Sequence, residues 1–362
     1  MMDKERIRFE PDYVVKPGEI LEETLEARGI KKRDFAERCA LSDKTISQII
    51  SGNAPVTADT AIRFERILGV SATVWSNLES NYQLHMAKIY ARNNLANGIS
   101  WMEKFPIKEI VRRGFIEQPS NQIDAVERLL NFFAVGSVES WQDRFDQMRA
   151  NFRASRAFAS APESVASWLR IGEIKAERIV TSPFDRTKFI DTLNEIRKLT
   201  YKRAAEFVPK LIQLCKDSGV ALVFISELPN IHLSGATKWL NKDKALIMLS
   251  LRHKSNDHFW FSFFHEAAHI IKHGKKQIFL DEINMELTEQ EKEADQIASN
   301  MLIPEPAYKE FVRQRKFYGK DIMSFARKVG IAPGIVVGRL QHHEIIPYTW
   351  HSTLKRKYVL NE

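Results

Sequence analysis

The spacing of apolar positions changes along the chain, and the changes divide it. Within Lys32–Ala40 apolar residues fall at Phe35, Ala36 and Cys39, and within Asp43–Ile50 at Ile46, Ile49 and Ile50, in each case one face of a short helix. Leu41 forms the turn between them, Ser42 is a residue type that caps a helix N-terminus, and Gly52-Asn53 suits a left-handed exit. Further along, three short apolar runs, Gly219–Ile225, Leu233–Leu240 and Ala245–Leu251, predict strands. Helical spacing returns at Phe261, Phe264, Ala268 and Ile271. It recurs at Ala294, Ala298, Met301 and Leu302, in a helix that Thr288 opens and Pro304 ends. The pattern predicts a multidomain chain: an all-α N-terminal domain (1–92), a helical connector (93–185), an α+β domain (186–311) and a mostly helical C-terminal extension (312–362).

Composition adds little to this picture. Lys and Arg exceed Asp and Glu by eight over 362 residues, which permits a nucleic-acid partner without requiring one. Acids and bases roughly balance over the first 92 residues, but a local basic excess (Arg28, Lys31, Lys32, Arg33, Arg38, Lys44) surrounds the two short helices, and Arg63 and Arg66 follow. Two cysteines, Cys39 and Cys215, cannot build a disulfide framework. The longest apolar stretch near the metal motif, Phe259–Phe264, is too short to span a bilayer. Met1-Met2-Asp3-Lys4-Glu5-Arg6 holds no apolar run of the kind export signals carry. A cytoplasmic protein with no membrane partner is the expectation.

The chemistry is concentrated in His265-Glu266-Ala267-Ala268-His269. Histidines four apart on a helix lie one turn apart on one face, close enough to share an ion. Zinc takes neutral imidazole nitrogens at about 2.0–2.1 Å, and a catalytic zinc keeps three protein ligands and one open position. Glu266, between the ligands, is placed to take a proton from water there. The plainer alternative is two solvated histidines on an amphipathic helix. A third ligand is available in Thr288–Ala298. At about 100° per residue Glu291 shares the side of Ala298 and Leu302, whereas Glu293 points away and is expected in solvent, as is Glu289. Asp295 follows Glu291 by one turn and is placed to hold the far N–H of a ligating imidazole. His273 before Gly274 suits a helix C-terminus, where a cation meets the negative end of the dipole. The spacing of His253, His258, His342 and His343 assigns them no role.

In the N-terminal domain the second short helix exposes Lys44, Thr45, Ser47 and Gln48, with Ser42 at its cap. Small polar side chains at the start of such a helix are what base edges in a major groove require. The plainer alternative is a helical hairpin with a polar face.

Two resemblances sharpen these readings. Phe261–Ile271, Glu291–Ala298 and Leu302-Ile303-Pro304 resemble the ImmA/IrrE family of zinc metallo-endopeptidases, although Ile297 stands where that family often has Phe. The resemblance implies a minimal zincin-like fold, His265, His269 and Glu291 as ligands of Zn2+, Glu266 as general base, and cleavage of a regulatory protein such as a repressor. Pro17–Leu25, Lys44–Asn53, Thr57–Ala61 and Val74–Tyr82 resemble the HigA-type antitoxins, helix-turn-helix repressors of the Xre/Cro type. This second resemblance implies a homodimer on a palindromic double-stranded DNA operator, with Ser42, Lys44, Thr45, Ser47 and Gln48 facing the DNA. Where such turns commonly carry Gly this chain has Ala40, which fits if the turn keeps a negative φ.

Together these expectations describe a DNA-binding regulator with a zinc-dependent endopeptidase domain whose substrate is a repressor, antitoxin or toxin, aligned by an edge strand near Leu246–Ser250. The rival is a non-proteolytic antitoxin-like repressor of a toxin–antitoxin operon whose peptidase-like domain only binds a toxin or a ligand.

Overall fold

The computed structural model describes residues 14–151, 156–250, 255–274, 278–282 and 288–358; the chain opening, Leu251 and His253 lie outside them. The chain forms two compact units, Met1–Gly98 and Ile99–Glu362. The expected boundary at residue 92 falls inside a helix, and the segments 99–185, 186–311 and 312–362 belong to one unit. Among the described residues no helix is long and apolar enough to cross a membrane.

The first unit holds α1 (Pro17–Ala27), α2 (Lys32–Arg38), α3 (Asp43–Ile50), α4 (Ala58–Leu68) and α5 (Ala72–Leu95). The stripe residues Phe35, Ala36, Cys39, Ile46 and Ile49 are buried with Phe64 and Trp75. Ser42, Thr57 and Ser71 cap the N-termini of α3, α4 and α5 with their side chains, which is why those helices start where they do. The turn between α2 and α3 departs from expectation. Ala40 has φ +52°, in the left-handed region, instead of a negative φ. Arg63 compensates: its Nη1 donates to the carbonyls of Cys39 (2.9 Å) and Ala40 (3.2 Å), so an arginine counted toward the basic face is committed to the turn. Left-handed backbone costs an L-residue about 1–2 kcal/mol, of which an added Gly would lose part again to unfolded-chain entropy. Ala40→Gly is therefore expected to raise unfolding stability by up to about 1 kcal/mol. A lower denaturation midpoint for Ala40→Gly would refute the strain.

The second unit begins with α6 (Ile99–Met102), α7 (Ile107–Arg112), α8 (Gln122–Phe133), α9 (Val138–Asn151), α10 (Arg156–Ser160) and α11 (Pro162–Glu177). It continues through α12 (Arg186–Lys198) and α13 (Ala204–Asp217) into β1 (Val220–Phe224), β2 (Leu233–Asn241) and β3 (Lys244–Leu249). Then come α14 (Asn256–Lys272), β4 (Ile278–Glu282), α15 (Glu289–Leu302), α16 (Glu305–Arg313), α17 (Gly319–Val329) and α18 (Pro333–His342). The four strands order as β1-β3-β2-β4. β1 and β3 are parallel, and β2 is antiparallel to both β3 and β4. α14 packs on one face of the sheet, and the Trp168 indole of α11 donates to the Ile225 carbonyl at the end of β1.

This order corrects one expectation. β3, which contains Leu246–Leu249, is an interior strand, bonded to β1 on one side and β2 on the other. Its backbone groups are already paired, so it cannot accept a substrate strand. Among the described residues β4 pairs only with β2 and forms the edge nearest α14's motif.

Candidate metal centre

The middle of α14 is buried: Phe259, Trp260, Phe263, Phe264, Ala267 and Ala268 pack into the core, so His265 and His269 sit inside the unit, while His258 and Lys272 near its ends are exposed. α15 reaches them because Thr288 caps its first turn, Oγ1 accepting from the Glu291 N–H at 3.2 Å. Small residues follow: Ala294 and Ala298 are fully buried, which lets α15 lie close against α14.

Three donors converge there. Glu291 Oε2 lies 3.0 Å from His265 Nε2 and 3.3 Å from His269 Nε2, and the two Nε2 atoms are 3.0 Å apart. All three residues are buried. Burial works to raise the Glu291 pKa, but hydrogen bonds with His265 and His269 outweigh it and hold the carboxyl at about 2. Burial also pushes the His269 pKa down, against the pull of Glu291. An ionised carboxylate beside a neutral imidazole is the protonation pattern a divalent cation needs, so the donor set fits zinc. Placing Glu291 in the first turn of α15 also gives the carboxylate the positive end of the helix dipole.

Around this cluster, Asp295 Oδ1 stands 2.8 Å from His265 Nδ1, where the sequence placed it. Glu293 faces away from the three donors and is partly exposed, yet it pairs with Lys272 (2.8 Å) and His273 (3.4 Å) at the end of α14. His273 is the C-cap residue of α14, but its ring is buried against His269, with 3.0 Å between Nδ1 atoms. His258 and His342 line a separate cavity with Phe261 and Ile335, and His343 Nδ1 lies 2.9 Å from the Tyr308 hydroxyl.

Two residues of the site escaped the sequence reading. Glu266 is fully buried, and Thr237 of β2 donates its hydroxyl to Glu266 Oε2 at 2.5 Å. Gly235, two residues earlier on the same face of β2, lies so close that an added Cβ would stand 2.5 Å from Glu266 Oε1. A lone glycine inside an apolar strand is a signal of such an approach.

On α3 of the first unit, Ser42, Lys44, Ser47 and Gln48 are exposed and Thr45 is half-buried. The Ser42 hydroxyl is engaged in the cap, 3.0 Å from the Thr45 N–H and 2.8 Å from the Thr45 hydroxyl, so Lys44, Ser47 and Gln48 form the outward set.

Comparison with known proteins agrees with both halves. Residues 215–341 match the family described as the IrrE N-terminal-like domain, peptidase M78, and residues 21–75 match a helix-turn-helix family. The chain is 30% identical over 73 residues, 20% of its own length, to an uncharacterised helix-turn-helix-type transcriptional regulator, YddM, of Escherichia coli strain K12, 78% of which is covered. It is 37% identical over 75 residues to virulence-associated protein I of Dichelobacter nodosus, covering 69% of that protein and 20% of this one. The antitoxin HigA of Pseudomonas aeruginosa, solved with the higBA promoter, is 36% identical over 23% of this chain and 88% of its own, with a TM-score of 0.21. An addiction module antidote protein of a HigA family from Coxiella burnetii is 28% identical over 23% of this chain and 91% of its own, with a TM-score of 0.21. The chain thus belongs to the helix-turn-helix regulator family through its first unit, and its second unit carries an IrrE-like domain of the M78 peptidase family.

Proposed function

We propose that the protein is an operator-binding regulator whose second unit is a zinc-dependent endopeptidase acting on a regulatory partner protein. The observation that carries the peptidase half is the convergence of His265, His269 and Glu291 with Glu266 on the same helix. His265, His269 and Glu291 would hold the zinc, which would supply Lewis acidity toward the scissile carbonyl and a water molecule. Glu266 is the group that would take the proton of the attacking water and pass it to the leaving nitrogen. Thr237 fixes the orientation of that carboxylate by donating to Oε2. β4 is the strand on which an extended substrate adds, because it is an edge and because its Phe279 stacks on the His269 ring at 4.0 Å.

The test is a comparison of new protein N-termini in cells carrying wild-type protein or Glu266→Gln. Termini that depend on Glu266 support cleavage. None in either strain favours the non-proteolytic regulator, whose second unit binds a toxin or ligand only.

For the first unit, the exposed Lys44, Ser47 and Gln48 at the start of α3 support major-groove contact. Exposed Leu84, Met86, Ile89 and Tyr90 on α5 offer a second copy an apolar surface. Lys44→Ala and Gln48→Ala are each expected to weaken binding to a palindromic site upstream of the protein's own gene, Gln48→Ala by about 1–3 kcal/mol. Full affinity in both variants, measured by fluorescence anisotropy at fixed salt, would move the DNA surface away from α3.

A further inference from the structure

We infer that His273 and Glu293 form a positioning relay for His269, matching the support Asp295 gives His265; the inference rests on the metal centre proposed above but not on hydrolysis. The tautomers follow from the geometry. With a cation held between the three donors, His269 Nε2, turned toward Glu291 and His265, gives it a lone pair in place of the hydrogen bond to Glu291, and the proton sits on Nδ1. His269 Nδ1 lies 3.0 Å from His273 Nδ1, which therefore accepts. His273 then carries its proton on Nε2, which faces Glu293 Oε2 at 3.4 Å, within ion-pair range but without hydrogen-bond geometry, so that a small turn of the Glu293 carboxylate completes the relay. Each step leaves one arrangement of protons, and each relay ends on a carboxylate: Asp295 for His265, Glu293 for His269.

Packing makes the relay rigid. Phe279 of β4 stacks on the His269 ring (4.0 Å, 16°) and also contacts the His273 ring (5.0 Å, 37°). Both imidazoles are thereby held against one aromatic face of the edge strand. Lys272 anchors the far end, its Nζ 2.8 Å from Glu293 Oε1. His265 and His269 lie on α14 and His273, four residues further on, is its C-cap, so one helix and its end supply two ligands and the group that orients the second. Partners that fix ligand tautomer and ring orientation typically change metal affinity by about 10–100-fold when lost.

The experiment measures zinc affinity of the full chain by chelator competition, together with the visible spectrum of the cobalt-loaded protein and thermal unfolding of the metal-free protein. His273→Phe keeps a ring against Phe279 but no acceptor, and is expected to weaken zinc binding by about 10–100-fold and shift the cobalt bands. His273→Asn retains a short acceptor and is expected to recover part of the loss. Glu293→Ala should weaken binding a few-fold, less than His273→Phe, because it is partly exposed and one ring further out. If His273→Phe does not fold, His273→Asn against Glu293→Ala decides the matter by the same readouts. Wild-type zinc affinity and an unchanged cobalt spectrum in His273→Phe, or in both other variants, overturn the relay. A wild-type protein that takes up no zinc overturns the metal centre and the relay with it, whereas tight zinc without peptide cleavage leaves the relay standing and removes only the peptidase reading.

Discussion

Glu266→Gln is expected to retain zinc and lose peptide hydrolysis by about 10²–10⁴-fold, the range a positioned general base contributes. The substitution keeps shape and the acceptor that Thr237 addresses, but removes the basic oxygen. Glu266 points toward β2, and the ligating nitrogens of His265 and His269 point toward α15, so the two functions separate on one helix. Gly235→Ala approaches the same end from the other side. Its Cβ would fall 2.5 Å from Glu266 Oε1 and 3.0 Å from Cδ, so the carboxylate must move out of its place. Both variants should bind zinc as the wild type does, read by chelator competition, while cleavage products detected by mass spectrometry disappear. Retained cleavage in Glu266→Gln would assign the proton transfer to another group.

The metal cluster was legible because a helix converts spacing directly into direction. The four-residue spacing of His265 and His269, and the shared face of Glu291, Asp295 and Ala298, determine which side chains meet once two helices pack. The same rule distinguished Glu291 from Glu293, although it missed that Glu293 reaches the end of the neighbouring helix. What concerned the sheet was harder. β1 and β3 announce themselves as continuous apolar runs because both are buried on two faces, but nothing local states that β3 lies between β1 and β2. β4 is only five residues long, too short for its pattern to stand out, so the true edge of the sheet is not legible in the sequence. Thr237 and Gly235 meet Glu266 across some thirty residues of chain, through a register that side-chain period alone does not specify. Ala40 failed for another reason. Its left-handed φ is sustained by Arg63, a side chain from α4 whose reach no short window of sequence contains.

Replacing Glu291 with Ala should abolish tight zinc binding. Its carboxylate is the one acidic member of the three-donor cluster and is within 3.3 Å of both imidazole Nε2 atoms. Without it two neutral nitrogens would hold a dication in a buried site with no charged ligand, a severe electrostatic penalty. Asp295→Ala removes a hydrogen bond to His265 and no ligand, so about 10–100-fold in affinity is expected. The ordering is therefore Glu291→Ala, then Asp295→Ala, then Glu293→Ala with a few-fold effect, all read by chelator competition at one pH. A pH change would act through the same carboxylate. Glu291 is held at about 2 in the folded protein, below the ordinary carboxylate value, so the stability it contributes is present above that ordinary value and is lost as pH falls toward 2. In metal-free protein, Glu291→Gln should flatten that part of the acid unfolding curve. If instead Glu293→Ala loses the metal and Glu291→Ala keeps it, the face of α15 turned toward His265 and His269 has been misassigned, and the centre must be rebuilt around Glu293.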